Sequence, residues 1–388
     1  MIPLSVPHLK GNELKYAAEC VETEWVSSAG KFVARFEEEI CRYTGAAYAV
    51  ACINGTAALH ISLLLSDVQR GDEVLVPTVT FIAPINAVKY VGAEPVFMDC
   101  DDHLNIDPEK VASFLDQECR FDGTGLYNKK TGARVKAIIP VHVFGHPVSL
   151  APLVELARKY NLKLIEDATE SLGSFYTTGI HAGKRTGTIG DFGCYSFNGN
   201  KIITTGGGGM IVTDDKNLAA RARYLTTQAK DDEELFVHHE IGYNYRLTNI
   251  QAALGCAQLE TLEKFVEIKR QNFRAYQEAL KGVPGLTLLT EPSCSRSNYW
   301  YYTLIVDSEK FGQTNLELRR KLKEEKIESK PIWALNHRQK PYKENLAYQI
   351  SNAERLYRRC LSLPCSIGLT AQEIAKVTQT IRSAYASR

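Results

Sequence analysis

Residues 194–210 read CYSFNGNKIITTGGGGM, and this stretch decides how the rest of the chain is interpreted. One lysine, Lys201, lies there between a strand-like run and four consecutive glycines. An amine on a flexible stem, beside hydroxyl and amide groups, is what a carbonyl-bearing cofactor needs to form a Schiff base. An ordinary surface lysine before a glycine-rich turn is the alternative, and the stretch alone leaves both open.

An acidic pair follows a predicted strand about thirty residues before the lysine. Leu162 to Ile165 reads as a buried strand, and Glu166 and Asp167 come directly after it. A buried carboxylate at Asp167 could hydrogen-bond a pyridine nitrogen and favour its protonated form, which makes the ring an electron sink. Glu166 would point the other way along the strand, so we expect a salt-bridge partner or a strand-end charge.

A third motif joins a strand to a helix. Ala47 to Ile53 reads as a short buried strand, after which Asn54-Gly55-Thr56-Ala57 opens a helix. A helix start offers unpaired N–H groups and a positive dipole end, and the small residues Gly55 and Ala57 would let an anion approach. The Thr56 hydroxyl could add a hydrogen bond. The motif predicts a phosphate site, with a plain N-cap as the alternative.

Together with Asp167 and the glycine run, the motif from Ser196 to Lys201 resembles the DegT/DnrJ/StrS family of nucleotide-sugar aminotransferases, nearly from end to end. Within that family, the stretch SFNGNKIITTGGGGM together with Glu170 looks most like the branch that aminates a 4-keto nucleotide sugar in legionaminic-acid-type pathways. The resemblance implies pyridoxal 5′-phosphate as cofactor, bound to Lys201. It implies an α/β, aspartate-aminotransferase-like fold (fold type I), with a mostly parallel central sheet and a small C-terminal α+β domain.

The resemblance also assigns further contacts. Phe81 would stack on the cofactor ring, Ser196 would supply a hydroxyl, and Glu170 stands where the family usually has glutamine or histidine near the ring hydroxyl. Asn244, within GYNYRLT, would reach a neighbouring subunit's cofactor phosphate, which makes the expected unit a homodimer with shared active sites.

Three further residues are expected at the substrate. Trp25 and Ser27 belong to a loop equivalent to the family's entry loop, and His337 with Pro341-Tyr342 resembles its H-x-x-P-x-Y segment with altered spacing. A lone tryptophan or histidine is more often structural, so this alternative stays open.

The order of predicted elements supports this fold. Strands and helices alternate through the first half, which predicts parallel pairing. Residues 1–250 are expected to form the large cofactor-binding domain, and residues 251–388 the small domain with its linking helix. We predict one long helix from Asn249 past Tyr276, a strand over Tyr299–Val306, and a helix around Ala353–Leu361. The polar stretch 119–134 predicts a surface excursion or hairpin.

Composition excludes several classes of function. The formal charge of the 388-residue chain is +1, so no global field recruits nucleic acid or an anionic membrane. No apolar run reaches the roughly 18 residues of a membrane span. The ten cysteines are scattered without a C-x-x-C pair, and no metal-ligand spacing is found. These features predict a cytoplasmic protein without a metal site.

The expected reaction is amino transfer from L-glutamate to a keto nucleotide sugar. Lys201 would serve as tether and as general acid and base. Two alternatives remain: a pyridoxal-dependent sugar dehydratase, whose kind carries histidine in place of this lysine, and a catalytically idle cofactor-binding regulatory protein. The sequence does not identify the sugar, the nucleotide or the carbon that is aminated.

Overall fold

The computed structural model describes residues 1–232 and 234–386. Residues 387 and 388, which end the predicted small domain, lie outside that part. The helices are α1 (Glu13–Glu22), α2 (Lys31–Thr44), α3 (Gly55–Leu65), α4 (Ala83–Tyr90), α5 (Pro108–Gln117), α6 (Leu150–Tyr160), α7 (Lys216–Thr226), α8 (Asn249–Leu259), α9 (Leu262–Leu280), α10 (Ser308–Phe311), α11 (Asn315–Glu324), α12 (Asn352–Tyr357) and α13 (Ala371–Ala386).

The strands form one large and two small sheets. They are β1 (Tyr48–Cys52), β2 (Glu73–Pro77), β3 (Glu94–Met98), β4 (Cys119–Phe121), β5 (Leu126–Asn128), β6 (Arg134–Ile138), β7 (Lys163–Asp167), β8 (Phe175–Tyr176), β9 (Phe192–Ser196), β10 (Gly209–Thr213), β11 (Leu286–Leu288), β12 (Ser295–Arg296), β13 (Tyr302–Val306), β14 (Lys330–Pro331), β15 (Ala347–Tyr348) and β16 (Cys360–Leu363).

The large sheet has the strand order β1-β10-β9-β7-β6-β2-β3-β15. Neighbours from β9 through β15 pair in parallel, and the β1–β10 and β10–β9 pairs are antiparallel. The mostly parallel sheet is therefore confirmed. Because parallel strands have their carboxyl ends at one edge, the loops after β2, β7 and β9 meet there.

Helix α3 is buried along almost its whole length because other elements surround it. Its apolar side chains point in every direction around the helix axis, and the residues from Ala57 to Leu63 are buried. It packs against α4 and α7 and against strands β9 and β10. A helix that is apolar all round belongs inside a core. The start of α3 is thereby fixed at the edge of the sheet where the strands end.

The C-terminal part builds a second core on an antiparallel sheet of order β11-β13-β16-β14. Side chains from α9, α11 and α13 pack on this sheet, and Ile2 joins them through its bridge to Ile327. The predicted division at residues 250 and 251 stays a prediction. Helix α8, just after that boundary, packs on α1 and α2, whereas α9 packs on α13.

Several predicted elements differ from the structure. The long helix from Asn249 is two helices, because a turn at residues 260 and 261 separates them, in which the N–H and the hydroxyl of Thr261 both donate to the carbonyl of Gln258. The strand predicted from Tyr299 begins at Tyr302, after a left-handed residue at Tyr299. The predicted helix around Ala353–Leu361 ends at Tyr357, since the chain then enters β16.

Other predictions are confirmed. The 119–134 stretch is a hairpin of β4 and β5, and β9 and β10 form the antiparallel frame around the glycine run. Among the described residues, no helix is both long enough and apolar enough to cross a membrane.

One buried contact joins the two cores. Gly145 has φ +90°, and a Cβ built there would lie 1.8 Å from Oδ1 of Asn298. Asn298 cannot yield, because its amide nitrogen donates to the carbonyls of Glu170 and Leu172 and its oxygen accepts from the Trp300 N–H. The loop after β6 is thus locked to the segment before β13.

This contact predicts unequal costs for two glycine substitutions. Gly45→Ala, at φ +82° with open space around it, should lower the free energy of unfolding by about 1 kcal/mol through backbone strain alone. Gly145→Ala adds the collision with Asn298 and should cost about 3 kcal/mol or more. Urea unfolding of both variants measures the difference, and equal costs would contradict the locked junction.

Candidate active site

A cavity of about 730 Å³ opens where the parallel strands end, between the large sheet and the C-terminal sheet. Ligands of open α/β sheets bind at this edge. The lining includes seven of the residues predicted from sequence: Gly55, Thr56, Phe81, Asp167, Glu170, Ser196 and Lys201. The three sequence motifs therefore meet in one place.

Lys201 lies in the turn after β9, where its N–H donates to the carbonyl of Asn198. The side chain is 12% exposed, and Nζ is 3.5 Å from Oε1 of Glu170. On another side, Nζ lies 4.2 Å from the ring centroid of Trp300. The amine is therefore enclosed by the protein and held at the cavity wall, unlike a surface lysine.

Asp167 ends β7 at the cavity and is almost fully buried. Its Oδ1 accepts a hydrogen bond from the N–H of Thr169 at 3.1 Å. Burial raises the pKa of this carboxyl, while hydrogen bonds from Thr169 and the charge of Lys201 oppose the rise. A protonated ring nitrogen in the cavity would stabilise the ionised form.

Glu166 points away from the cavity and is locked on the other face of β7. Its carboxylate accepts hydrogen bonds from the N–H groups of Gly187, Ile189 and Gly190, and lies 3.0 Å from Nε2 of His142. Burial alone would raise the pKa of Glu166, but the bond from His142 and the backbone amides lower it. Nδ1 of His142 accepts from the Val148 N–H, so Nε2 carries the hydrogen that Glu166 accepts. Glu166 is therefore a buried hydrogen-bond partner of His142, and the predicted salt bridge stays a prediction.

The start of α3 forms a cradle of amides. The Asn54 side chain accepts from the Ala57 N–H at 2.8 Å, so this amide is used by the cap, and contact of Ala57 with a phosphate stays a prediction. The N–H groups of Gly55 and Thr56 have no partner among residues 1–232 and 234–386. A Cβ at Gly55 would lie 2.9 Å from Cβ of Ser196, so glycine lets the start of α3 lie close to the end of β9.

Glu170 is 3% exposed and fixed from two sides. Its Oε2 accepts from the N–H of Phe144 at 2.8 Å, and its Oε1 faces Lys201. Phe144 is in the left-handed region, at φ 55°, which aims its N–H at the carboxylate. Burial raises the pKa of Glu170 to about 7, although the charge of Lys201 opposes this rise.

An aromatic wall on the C-terminal side of the cavity was not predicted from the sequence. Trp300 and Tyr301 are stacked with centroids 4.1 Å apart, and Phe144 lies 5.4 Å from Tyr301 and 4.7 Å from Trp333. The available signal was the run of aromatic residues from Tyr299 to Tyr302. Successive side chains of a strand point to opposite faces, so a single core cannot take up all of these rings.

The structure places three predicted substrate residues outside the cavity lining of the single chain. The Trp25 carbonyl accepts from the Asn249 side chain, and the Ser27 carbonyl accepts from the Asn249 N–H. Nδ1 of His337 lies 2.7 Å from the Thr78 hydroxyl, which gives this histidine a partner inside the fold. Contact of Trp25, Ser27 and His337 with substrate stays a prediction.

Asn244 is exposed and also lies outside the cavity lining of its own chain. Its backbone bridges to Thr227, which holds the GYNYRLT segment against the end of α7. The resemblance of this segment predicts that the side chain contacts a neighbouring subunit, and its position in the single chain leaves it available for that contact.

Among the described residues, no group of three or more histidine, cysteine, aspartate or glutamate side chains could hold a metal ion. The polar groups of the cavity include instead the Lys201 amine, two buried carboxylates and the amides at a helix start. This donor set suits an organic ligand that carries both an aldehyde and a phosphate.

Comparisons with known proteins agree along the whole chain. The model of the DegT/DnrJ/EryC1/StrS aminotransferase family matches residues 7–382. GDP-perosamine synthase of Caulobacter vibrioides is 37% identical over 380 residues, covering 97% of this chain and 96% of the relative. EpsN of Bacillus subtilis, named as a pyridoxal phosphate-dependent aminotransferase, is 37% identical over 385 residues, covering 98% and 95%.

A solved structure shows the same likeness. The crystal structure of a DegT DnrJ EryC1 StrS aminotransferase from Brucella abortus superposes with a TM-score of 0.87 at 30% identity. The match covers 96% of this chain and 95% of that one. The predicted fold type is thereby confirmed.

The buried carboxyl of Glu170 predicts a pH-dependent stability. This carboxyl has a pKa of about 7 in the folded protein against an ordinary value of 4.5, so the folded parent loses stability as the pH rises between these values. The glutamine variant lacks this loss. We therefore expect the free energy of unfolding of cofactor-free Glu170→Gln, measured relative to the cofactor-free parent, to be higher at pH 8 than at pH 5 by about 2–3 kcal/mol.

Urea unfolding at the two pH values measures this gain. Glu324→Gln, on the exposed side of α11, is the matched control and should show no such pH-dependent difference. A Glu170→Gln effect of equal size at both pH values would contradict the raised pKa.

Proposed function

Because the chain belongs to the DegT/DnrJ/EryC1/StrS aminotransferase family, we propose that it moves the amino group of L-glutamate onto a keto carbon of a nucleotide-linked sugar. The enzyme is an aminotransferase that depends on pyridoxal 5′-phosphate. The observation that carries the proposal is the meeting of Lys201, Asp167 and the start of α3 in one cavity.

The proposed acceptor is the 4-keto group of a UDP- or GDP-linked 4-keto-6-deoxy sugar. The relative from Caulobacter is named for a GDP-linked amino sugar, which supports a substrate of this class. The likeness of the motif around Lys201 and Glu170 supports a role in legionaminic-acid or related surface-glycan biosynthesis. The 3-keto position is the competing site of amination.

The cavity residues fit the cofactor. Gly55 lets the start of α3 lie close to Ser196, beside the unpaired amides that would bind the phosphate. Asp167 would hold the ring nitrogen, Lys201 would bind the aldehyde, and Ser196 would add a hydroxyl. Phe81, which is 54% exposed and lines the cavity, would cover one ring face.

Each of these residues has a task in amino transfer. When bound, pyridoxal 5′-phosphate supplies an aldehyde that takes up an amino group and a conjugated ring that accepts electrons. Lys201 Nζ would be the base that carries a proton between the donor carbon and the cofactor carbon. Asp167 would keep the ring nitrogen protonated. A dehydratase of this fold would carry histidine at position 201.

We also propose a homodimer in which Asn244 completes the partner's cofactor site. The proposal rests on the family likeness of GYNYRLT and on the exposed position of Asn244. In a two-fold dimer the same contact occurs twice, so each dimer would contain two shared sites.

A substrate panel tests the proposed reaction. L-glutamate alone should convert the visible spectrum of the enzyme, and a 4-keto-6-deoxy sugar on UDP or GDP should restore it and be aminated. Lys201→Ala is the control and should lose turnover by at least ~10³-fold, since proton transfer requires the amine. Spectral conversion by glutamate without amination of any 4-keto or 3-keto nucleotide sugar would contradict the acceptor class.

Subunit mixing tests the shared site. Lys201→Ala and Asn244→Asp chains, each inactive alone, should regain about a quarter of parental activity when subunits exchange, because half the dimers are mixed and each has one intact site. Lys201→Ala mixed with Asp167→Asn is the matched control. Both of those residues belong to one chain's pocket, so no activity should return.

If Asn244 acts within its own chain, neither mixture regains activity although exchange is complete. That outcome would contradict the shared-site proposal.

A further inference from the structure

We propose that Trp300 is a positioning residue of this active site, whose indole face joins the Glu170 carboxylate in a seat that holds the free Lys201 amine as an ammonium ion. The proposal rests on the proposed role of Lys201, which must leave the cofactor and return in every cycle. Between these events the amine needs a fixed place and a proton to deliver.

The geometry around the amine supplies this seat. Nζ of Lys201 lies 4.2 Å from the centroid of the Trp300 ring and 3.5 Å from Oε1 of Glu170. A cation over the face of tryptophan is attracted by the negative face of the ring, most strongly where water is excluded. The lysine side chain is only 12% exposed and Trp300 is buried, so the contact meets that condition.

The indole ring is held so that its face stays toward the amine. Its Nε1–H donates to the carbonyl of Asn200 at 2.7 Å, next to Lys201 in the chain. Its backbone N–H donates to Oδ1 of Asn298 at 2.8 Å, and the ring stacks on Tyr301 at 10° between the planes. Rotation of the ring would break the Nε1–H bond and the stack together.

Asn298 ties the two halves of the seat to each other. Its side chain accepts from the Trp300 N–H and donates to the carbonyl of Glu170 at 2.9 Å. The Glu170 carboxylate is held separately by the N–H of Phe144. The tryptophan from the C-terminal part and the glutamate from the segment after β7 therefore keep a fixed separation, with the amine close to both.

The remaining charged groups near the amine do not replace this seat. Asp167 lines the same cavity, and the charge of Lys201 acts on both Asp167 and Glu170. Lys330 lines the cavity, and its Nζ lies 3.5 Å from Glu328. Lys269 lies behind the loop, where its Nζ donates to the Trp300 carbonyl, and burial lowers its pKa.

Competitive acetylation tests the proposal on the enzyme loaded with pyridoxamine 5′-phosphate, in which Lys201 is free. Acetic anhydride reacts only with the uncharged amine, and mass spectrometry of the Lys201 peptide gives the pH midpoint of labelling. We expect Trp300→Leu to lower this midpoint by roughly half to one and a half pH units. Trp300→Phe, which keeps a weaker aromatic face, should fall between it and the parent.

The matched control is Trp333→Leu, which enlarges the same cavity but removes a ring that packs on Phe144. Its midpoint should equal that of the parent. Because the midpoint is independent of how fast reagent enters the cavity, easier access alone cannot produce the shift. A parental midpoint in Trp300→Leu, or an equal shift in Trp333→Leu, would overturn the proposal.

Failure of the proposed function would look different. If Lys201 does not bind the cofactor, borohydride reduction of the parent enzyme leaves the Lys201 peptide unlabelled. That result is obtained on the parent enzyme alone. The proposal for Trp300 is tested separately, by the acetylation midpoints of the variants.

Discussion

Charge balance around one amine is the constraint on which the rest of this structure depends. Asp167 and Glu170 are 2% and 3% exposed, and Lys201 is the cation they share. Two buried carboxyls face one lysine, and burial raises the pKa of each, so ionising both of them without a further cation is unfavourable. A ligand with a protonated ring nitrogen corrects this imbalance at Asp167. Its phosphate then belongs at the opposite end, where α3 begins.

The parallel sheet makes this arrangement rigid. Strand β7 delivers Asp167 to the cavity and Glu166 to the other face, and three backbone amides together with His142 hold Glu166 in place. The fixed position of Glu166 therefore helps to hold Asp167, its neighbour in the strand, toward the cavity. Strand β9 fixes the start of the Lys201 turn in the same way, through pairing on both edges.

Features that depend on residues close together in the sequence could be predicted, whereas features that depend on distant residues could not. The roles predicted for Lys201, Asp167 and Gly55 follow from short motifs at strand and helix ends, and the structure brings all three residues to one cavity. Trp300 was missed because its place depends on the left-handed residue before it and on Asn298, which bonds to Glu170 far away in the chain. The helix break at Thr261 was hidden because the apolar pattern continues through it.

The single chain exposes apolar side chains near Asn244 that a second subunit could cover. Leu235, Phe236 and Ile241 are 75%, 70% and 81% exposed, in the segment that leads to Asn244, and Phe81 is half-exposed at the cavity. Covering apolar side chains of this size lowers the free energy, and a cluster of exposed apolar side chains marks an interaction surface. Among the described residues of the cavity lining, Lys201 and Lys330 are the cationic side chains, and neither belongs to the start of α3. A neighbouring subunit that covers the apolar segment would bring further polar groups to the start of α3, where the phosphate is proposed to bind. This is the part of the site that one chain leaves least complete.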